Sequence, residues 1–99
     1  MAQKAIEGKM DELFSGILTL KTSEECYRFF EDLCTVPELL ALSQRFSVAK
    51  MLSKETVYSE IVAKTGASTA TVSRVSRSYH YGADGYRMVI ERLSKKSDE

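Results

Sequence analysis

Apolar side chains recur every three or four residues along most of the chain, which is the spacing of an amphipathic α-helix. No segment shows the sustained alternation of apolar and polar residues that is typical of a β-strand. In chain order, the clearest stripes are Leu13, Phe14, Ile17, Leu18 and Leu20; Cys26, Phe29, Phe30 and Leu33; and Leu39, Leu42, Phe46, Ala49 and Leu52. The pattern predicts an all-α fold of about six helices in a single domain, residues 1–99.

Two Thr-Glu pairs mark the expected starts of helices. "TSEE" (residues 22–25) and "TVPE" (residues 35–38) have the spacing of a capping box, in which the hydroxyl and the carboxylate each accept a hydrogen bond from a free backbone N–H. Pro37 suits the first turn of the second of these helices, where its missing N–H costs nothing. We expect that helix to be the longest and to end near residues 53–55.

Residues 56–79 have the pattern of two short helices joined by a tight turn. The apolar positions of the first helix are Val57, Ile61 and Val62. Thr56 can cap this helix, and Ser68 can cap the second. Gly66 stands between them, where a helix-turn-helix needs a residue that tolerates positive φ. The segment is therefore predicted to be a helix-turn-helix unit.

The second helix of this unit has two different sides. Its apolar side consists of Val72, Val75 and Tyr79. Its outer side carries small residues first and arginines later, namely Ser68, Thr69, Ala70, Thr71, Ser73, Arg74 and Arg77. Small side chains at the leading end let hydroxyls and methyl groups reach base edges in the major groove. Arginines further along can contact phosphate or guanine. These seven residues are therefore the predicted DNA-binding site.

A merely solvated helix face is the plain alternative, but such faces usually carry Glu, Lys and Gln rather than Ser and Thr. No acidic residue occurs from Ala67 to Tyr81, which favours DNA binding. The competing function is a helical interaction module whose basic face docks an acidic protein partner, although that face has no aromatic anchor of the kind that protein interfaces favour. We expect residues 79–81 to be a helix end packed near the turn, with contact to the DNA backbone as the alternative.

The charge is distributed unevenly, although the formal net charge is zero. Residues 1–44 carry four basic and eight acidic side chains, whereas residues 45–80 carry six basic and two acidic ones. This asymmetry fits a basic DNA-binding half on an acidic support.

Large apolar side chains are too numerous for the interior of so small a domain. The surplus includes Phe14, Tyr27, Phe29, Phe30 and Phe46. A partner surface would cover them, so a homodimer is expected, with a well-packed monomer as the alternative.

The C-terminal "GADGYRMVIERL" offers Gly82 and Gly85 as a turn before a last helix. The apolar positions of that helix are expected to be Met88, Val89 and Leu93. The polar tail, residues 94–99, is expected to fray.

Several classes of protein are disfavoured. The only cysteines, Cys26 and Cys34, would be roughly 12 Å apart on one helix, which is too far for a disulfide, and with His80 alone they make no zinc site. We expect both to be small buried residues in a reducing compartment. No nucleophile arrangement surrounds His80 and no Gly-rich phosphate loop occurs, so an enzyme is not expected. A signal peptide and a membrane span are not expected either, and a cytoplasmic location is.

The chain resembles the Trp repressor superfamily, and within it the small Trp-repressor-like proteins of the YerC/YecD type. The resemblance extends from about Leu13 to Leu93 and rests on "LKTSEECYRFFEDLCTVPELLALSQRFSVAKML", "GASTATVSRV" and "YGADGYRMVIERL". It implies an intertwined all-helical homodimer that binds a palindromic operator through its helix-turn-helix and acts as a transcriptional repressor.

The resemblance also implies an effector pocket, because the Trp repressor uses L-tryptophan as corepressor. The positions related to that pocket are Thr35, Arg45, Arg74 and Ser78. Val75, however, stands where the repressor has a glycine that leaves room for the indole ring. We therefore expect no tryptophan cofactor, while another small effector and ligand-independent binding both stay open.

Overall fold

The computed structural model describes residues 5–97, which form six α-helices and no strand. In chain order they are α1 Asp11–Ile17, α2 Ser23–Leu33, α3 Val36–Ser53, α4 Tyr58–Thr65, α5 Thr69–Tyr81 and α6 Gly85–Ser97. The predicted all-α class is confirmed. The chain divides into two compact units, and the boundary between them falls inside α3, between Leu39 and Leu40.

Both predicted caps form in the first unit. The Thr22 hydroxyl accepts a hydrogen bond from the Glu25 N–H (3.1 Å), and the Glu25 carboxylate accepts one from the Lys21 N–H (2.8 Å), one residue before the expected donor. At the start of α3, the Glu38 carboxylate accepts from the Thr35 N–H (2.8 Å) and the Thr35 hydroxyl accepts from the Glu38 N–H (3.3 Å). These bonds satisfy N–H groups that have no partner inside the helix.

The cap at Thr35 also has an electrostatic consequence. The pKa of Glu38 is lowered from its usual 4.5, first by the hydrogen bond from the Thr35 backbone and then by the one with the Thr35 side chain. Donors that stabilise the charged form of a carboxyl lower its pKa.

The first unit has no fully buried side chain among the residues that the structure describes. The rings of Phe29 and Phe30 meet edge to face with centroids 5.6 Å apart, but both remain half-buried. Leu33 is exposed and so is Cys26, while Cys34 is half-buried; the prediction of a buried apolar side for α2 and of two buried cysteines was wrong.

The second unit closes a core from its own side chains. Its fully buried members are Val48, Ala49, Ile61, Ala67, Val72 and Val75. Half-buried residues packed around them are Met51, Leu52, Val62, Tyr79, Tyr86 and Ile90. Helix α5 lies at the centre, in contact with α4 and α6. On α3, Ala49 is buried as its stripe predicts, whereas Leu42 is exposed.

Helix α6 packs through different residues from those predicted. Tyr86 and Ile90, one turn apart, contact the core, while Met88, Val89 and Leu93 are exposed. The prediction that α6 packs through Met88, Val89 and Leu93 was therefore wrong. The helix continues to Ser97, through most of the tail that was expected to fray, and residues 98–99 lie outside the described residues.

Candidate nucleic-acid interface

The helix-turn-helix forms where it is predicted, with one difference at its start. Val57 is the N-cap of α4, in extended backbone (φ −70°, ψ 152°), so the prediction that Thr56 caps this helix was wrong. No side chain caps the helix at this end. Val57 itself is exposed, while Ile61 is fully buried and Val62 half-buried, so the middle of α4 contacts the core.

The turn depends on Gly66. Its φ is +72°, as predicted, and its N–H donates to the Val62 carbonyl (3.0 Å), which ends α4. A Cβ at this position would have no atom within 4 Å. Glycine is therefore favoured here by the left-handed backbone alone, and not by crowding.

Thr65 stabilises the turn through hydrogen bonds of its hydroxyl and its carbonyl. The hydroxyl donates to the Ile61 carbonyl (2.7 Å) and accepts from the Ala67 N–H (3.1 Å). The Thr65 carbonyl in turn accepts from Gln44 Nε2 on α3 (3.1 Å). Sequence reasoning missed Gln44, because a contact between residues 21 positions apart leaves no local pattern. Together these bonds fix the turn against α3 and α4.

Ser68 begins α5 as predicted. Its hydroxyl accepts from the Thr71 N–H (3.1 Å) and lies 3.1 Å from the Thr71 hydroxyl, to which it can donate. Thr71 is half-buried. Of the seven residues in the predicted DNA-binding site, these two are therefore partly engaged in holding the first turn of α5.

The other five residues of the predicted site are exposed. They are Thr69, Ala70, Ser73, Arg74 and Arg77. No carboxylate among residues 5–97 lies within ion-pair distance of either arginine. On the opposite side of α5, Val72 is fully buried, Val75 is 2% exposed and Tyr79 is half-buried, so the predicted apolar side is confirmed. The helix thus has a fixed inner side and a free outer side with two cations.

Arg87 holds the other end of α5. Its Nε donates to the Tyr79 carbonyl (3.0 Å) and its Nη2 to the His80 carbonyl (3.4 Å), while the guanidinium lies 5.2 Å from the centre of the Tyr79 ring. Asp84 stands 3.9 Å from the same Nε. A cation at a helix C-terminus stabilises the carbonyls that have no partner there. Sequence reasoning missed Arg87, whose local signal is its position shortly after the glycine that ends α5.

The predicted effector residues are divided between the two units. Thr35 belongs to the first unit, where its N–H and its hydroxyl are both engaged with Glu38. Arg45, Arg74 and Ser78 belong to the second unit, and all three are exposed.

Metal-ligand groups and membrane-spanning helices were also sought within residues 5–97. No group of three or more His, Cys, Asp or Glu side chains in this range could hold a metal ion. A search of the same residues for a helix long and apolar enough to cross a membrane found none.

The comparisons with known proteins point in one direction. The sequence profile of the family described as Trp repressor protein matches residues 8–94. The chain is 50% identical over 95 residues to YerC of Bacillus subtilis (strain 168), an uncharacterized protein, and the match covers 95% of this chain and 91% of YerC. A crystal structure of a TrpR-like protein from Eubacterium eligens ATCC 27750 has a TM-score of 0.89 and 54% identity, covering 93% of this chain and 96% of that one.

A second crystal structure, from Staphylococcus aureus and described as a candidate Trp repressor, has a TM-score of 0.87 and 49% identity, covering 94% of this chain and 96% of that one. The fold and the comparisons define a Trp-repressor-like helical protein of the DNA-binding regulatory class. The chain belongs to the Trp repressor family.

Proposed function

We propose that the protein is a sequence-specific transcriptional regulator, acting as a repressor, which binds a palindromic operator as a homodimer through α5. The observation that carries this proposal is the outer side of α5, where Thr69, Ala70 and Ser73 lead and Arg74 and Arg77 follow, all exposed. Membership of the Trp repressor family gives independent support.

The geometry of α5 suits the major groove. Small side chains at its leading end let the backbone approach base edges, and hydroxyls there can donate or accept hydrogen bonds. The two arginines have no carboxylate partner among residues 5–97, so they are free to bind phosphate or guanine. Gly66, Thr65 and Arg87 hold both ends of the helix, which limits the conformational entropy lost on binding.

Apolar exposure supports the homodimer. In the first unit, Leu18 is 84% exposed and Tyr27 70% exposed, and Phe14 and Leu33 are also open to solvent. Apolar surface in such quantity marks an interaction site, and a second copy of the chain covers it symmetrically. Two copies of α5 then bind the two halves of a palindrome.

We further propose that tryptophan is not required. Val75 is 2% exposed within the core of the second unit, so its side chain occupies space on the inner side of α5. Thr35, one of the four residues of the expected pocket, already has its hydroxyl engaged in the cap of α3. Titration calorimetry with L-tryptophan should detect no binding, and a saturable heat at micromolar ligand would contradict this part of the proposal.

The experiment that tests the function most broadly is selection of bound sequences from a random pool of duplex DNA. The expected result is a symmetric site whose half-sites are separated by about one helical turn or a multiple of it. Failure to enrich any symmetric site would contradict both the homodimer and the specificity. A reporter gene placed behind the selected site then tests repression, since expression should fall when the protein is supplied.

A pull-down from nuclease-treated lysate separates DNA binding from docking of an acidic protein. A DNA-binding regulator should retain no bound partner once the nuclease has removed the DNA. A protein that stays bound after nuclease treatment, and that Arg74→Ala and Arg77→Ala release, would favour the interaction module instead.

A further inference from the structure

Tyr81 is the last residue of α5, and 87% of its surface is exposed. The sequence predicted that residues 79–81 pack near the turn, but of these three only Tyr79 contacts the core. The three rings form a row, with the His80 ring centre 5.1 Å from that of Tyr79 and 6.1 Å from that of Tyr81. The outermost ring therefore projects from the end of the helix into solvent.

Tyr81 shares the outer side of α5 with the residues proposed to bind DNA. Ala70, Arg74, Arg77 and Tyr81 follow one another at spacings of four, three and four residues, so all four lie within about 60° of the helix circumference. Along the axis, this row extends for about 16 Å from Ala70 to Tyr81. The two arginines thus stand between the small leading residues and the phenol.

The end of α5 that carries this ring is held in place. Arg87 donates to the carbonyls of Tyr79 and His80, and the Gly82 N–H donates to the Ser78 carbonyl (2.9 Å). A Cβ at Gly82 would collide with that same carbonyl oxygen, so the close exit of the chain requires glycine. The position of the Tyr81 backbone is therefore fixed relative to the arginines.

We propose that Tyr81 extends the DNA-binding face of α5 by donating its phenolic hydroxyl to a phosphate oxygen of the DNA backbone. This inference rests on the proposed function of α5. Charge complementarity identifies the occupant, because Arg74 and Arg77 make this side cationic and no acidic residue occurs from Ala67 to Tyr81. A phenol can donate to phosphate and pack its ring against the sugar.

The position of Tyr81 favours the backbone over the bases. With the leading residues of α5 at the base edges, Tyr81 lies about 16 Å away along the helix, at the opposite end from the residues that reach the bases. A contact of this kind positions the protein on the duplex and adds affinity, but it carries little sequence information.

The test compares Tyr81→Phe and Tyr81→Ala with the wild type and with Tyr86→Phe, which removes the same hydroxyl from a tyrosine of α6 that packs against the core of the second unit. Affinity for the duplex recovered by selection is measured over a range of salt concentrations. We expect Tyr81→Phe to weaken binding about threefold and Tyr81→Ala about tenfold, with Tyr86→Phe unchanged. Because tyrosine is neutral, the slope of log affinity against log salt should stay the same in both Tyr81 variants.

Several results would overturn the inference while leaving the proposed function intact: Tyr81 variants that bind as tightly as the wild type, a change of about one in the salt slope, or an equal loss in Tyr86→Phe. The rival occupant of this surface is a second copy of the chain, and sedimentation without DNA tests for it. Unchanged self-association supports the DNA contact, and weaker self-association in the Tyr81 variants overturns it. A wild-type protein that binds no duplex overturns the proposed function itself.

Discussion

The two units of this chain differ in how far they bury their apolar side chains. Residues 40–97 enclose six fully buried residues, all of them supplied by α3, α4, α5 and the turn before α5. Residues 5–39 enclose none, and Leu18 is 84% exposed there. The first unit also carries eight acidic and four basic side chains, whereas the basic helix α5 belongs to the second.

This difference indicates separate roles for the two units. A helix that must fit against DNA needs a fixed position, and the second unit provides it from its own core and from hydrogen bonds at both ends of α5. The first unit leaves apolar surface open, as the proposed homodimer requires. The predictions that follow test this division, beginning with the largest expected effect.

Leu18→Glu tests whether a second copy covers the first unit. We expect the dimer to dissociate about 100-fold more readily, because a charge replaces an apolar side chain that binding would bury. Sedimentation equilibrium measures this change, and Leu18→Met, which keeps the apolar character, should remain dimeric. Equal self-association of the two variants would mean that Leu18 faces solvent in the assembled protein.

Val75→Ala tests the self-contained core of the second unit. Its side chain is 2% exposed, so we expect the free energy of unfolding to fall by about 2 kcal/mol. Val57→Ala is the matched control, since Val57 is exposed in the same unit and its replacement should cost less than about 0.5 kcal/mol. Urea unfolding at one fixed protein concentration makes the comparison, because dimer stability depends on concentration. Similar losses in both variants would contradict the assigned core.

Glycine-to-alanine substitutions should change the free energy of unfolding in opposite directions in the two units. Gly66→Ala is expected to destabilise the protein by about 1 kcal/mol, because φ is +72° and no contact compensates. Gly16→Ala, inside α1 and also without a neighbour near the added Cβ, should stabilise it by about 0.5 kcal/mol. Thermal unfolding measures both, and stabilisation by Gly66→Ala would show that the turn is not left-handed.

The smallest effect concerns Glu38 at the start of α3. Its pKa is lower in the folded chain than the usual 4.5, so its contribution to stability is complete above that value and is lost as the pH falls through the lower, folded pKa. When the pH falls from about 5 to about 3, the wild type should therefore lose stability that Glu38→Gln does not lose. Thermal unfolding at each pH measures this difference. Parallel pH profiles would contradict the role of the carboxylate in the cap.

Sequence reasoning succeeded where a local pattern determines the structure. The caps at Thr22, Thr35 and Ser68, the positive φ of Gly66 and the buried side of α5 all follow from residues within one or two turns of each other. It failed where an unrelated segment decides the outcome. Which apolar residues of α6 reach the core depends on how α6 meets α5.

The same limit applies to the candidate site. The contacts of Gln44 with the turn and of Arg87 with the end of α5 join residues that are distant in sequence or separated by a loop. The exposure of Cys26 depends on the amount of chain available to cover α2. The roles of the seven predicted DNA-binding residues and of the predicted effector residues remain predictions.

The most direct test of the central claim is the salt dependence of DNA binding by the Arg74→Ala/Arg77→Ala double variant. Both arginines are exposed and have no ion-pair partner among residues 5–97, so the variant should stay folded, as its circular dichroism can establish. We predict weaker binding to the selected duplex and a salt slope that is smaller by about two, one for each lost phosphate contact. An affinity and a slope equal to those of the wild type would contradict the claim that the outer side of α5 binds DNA.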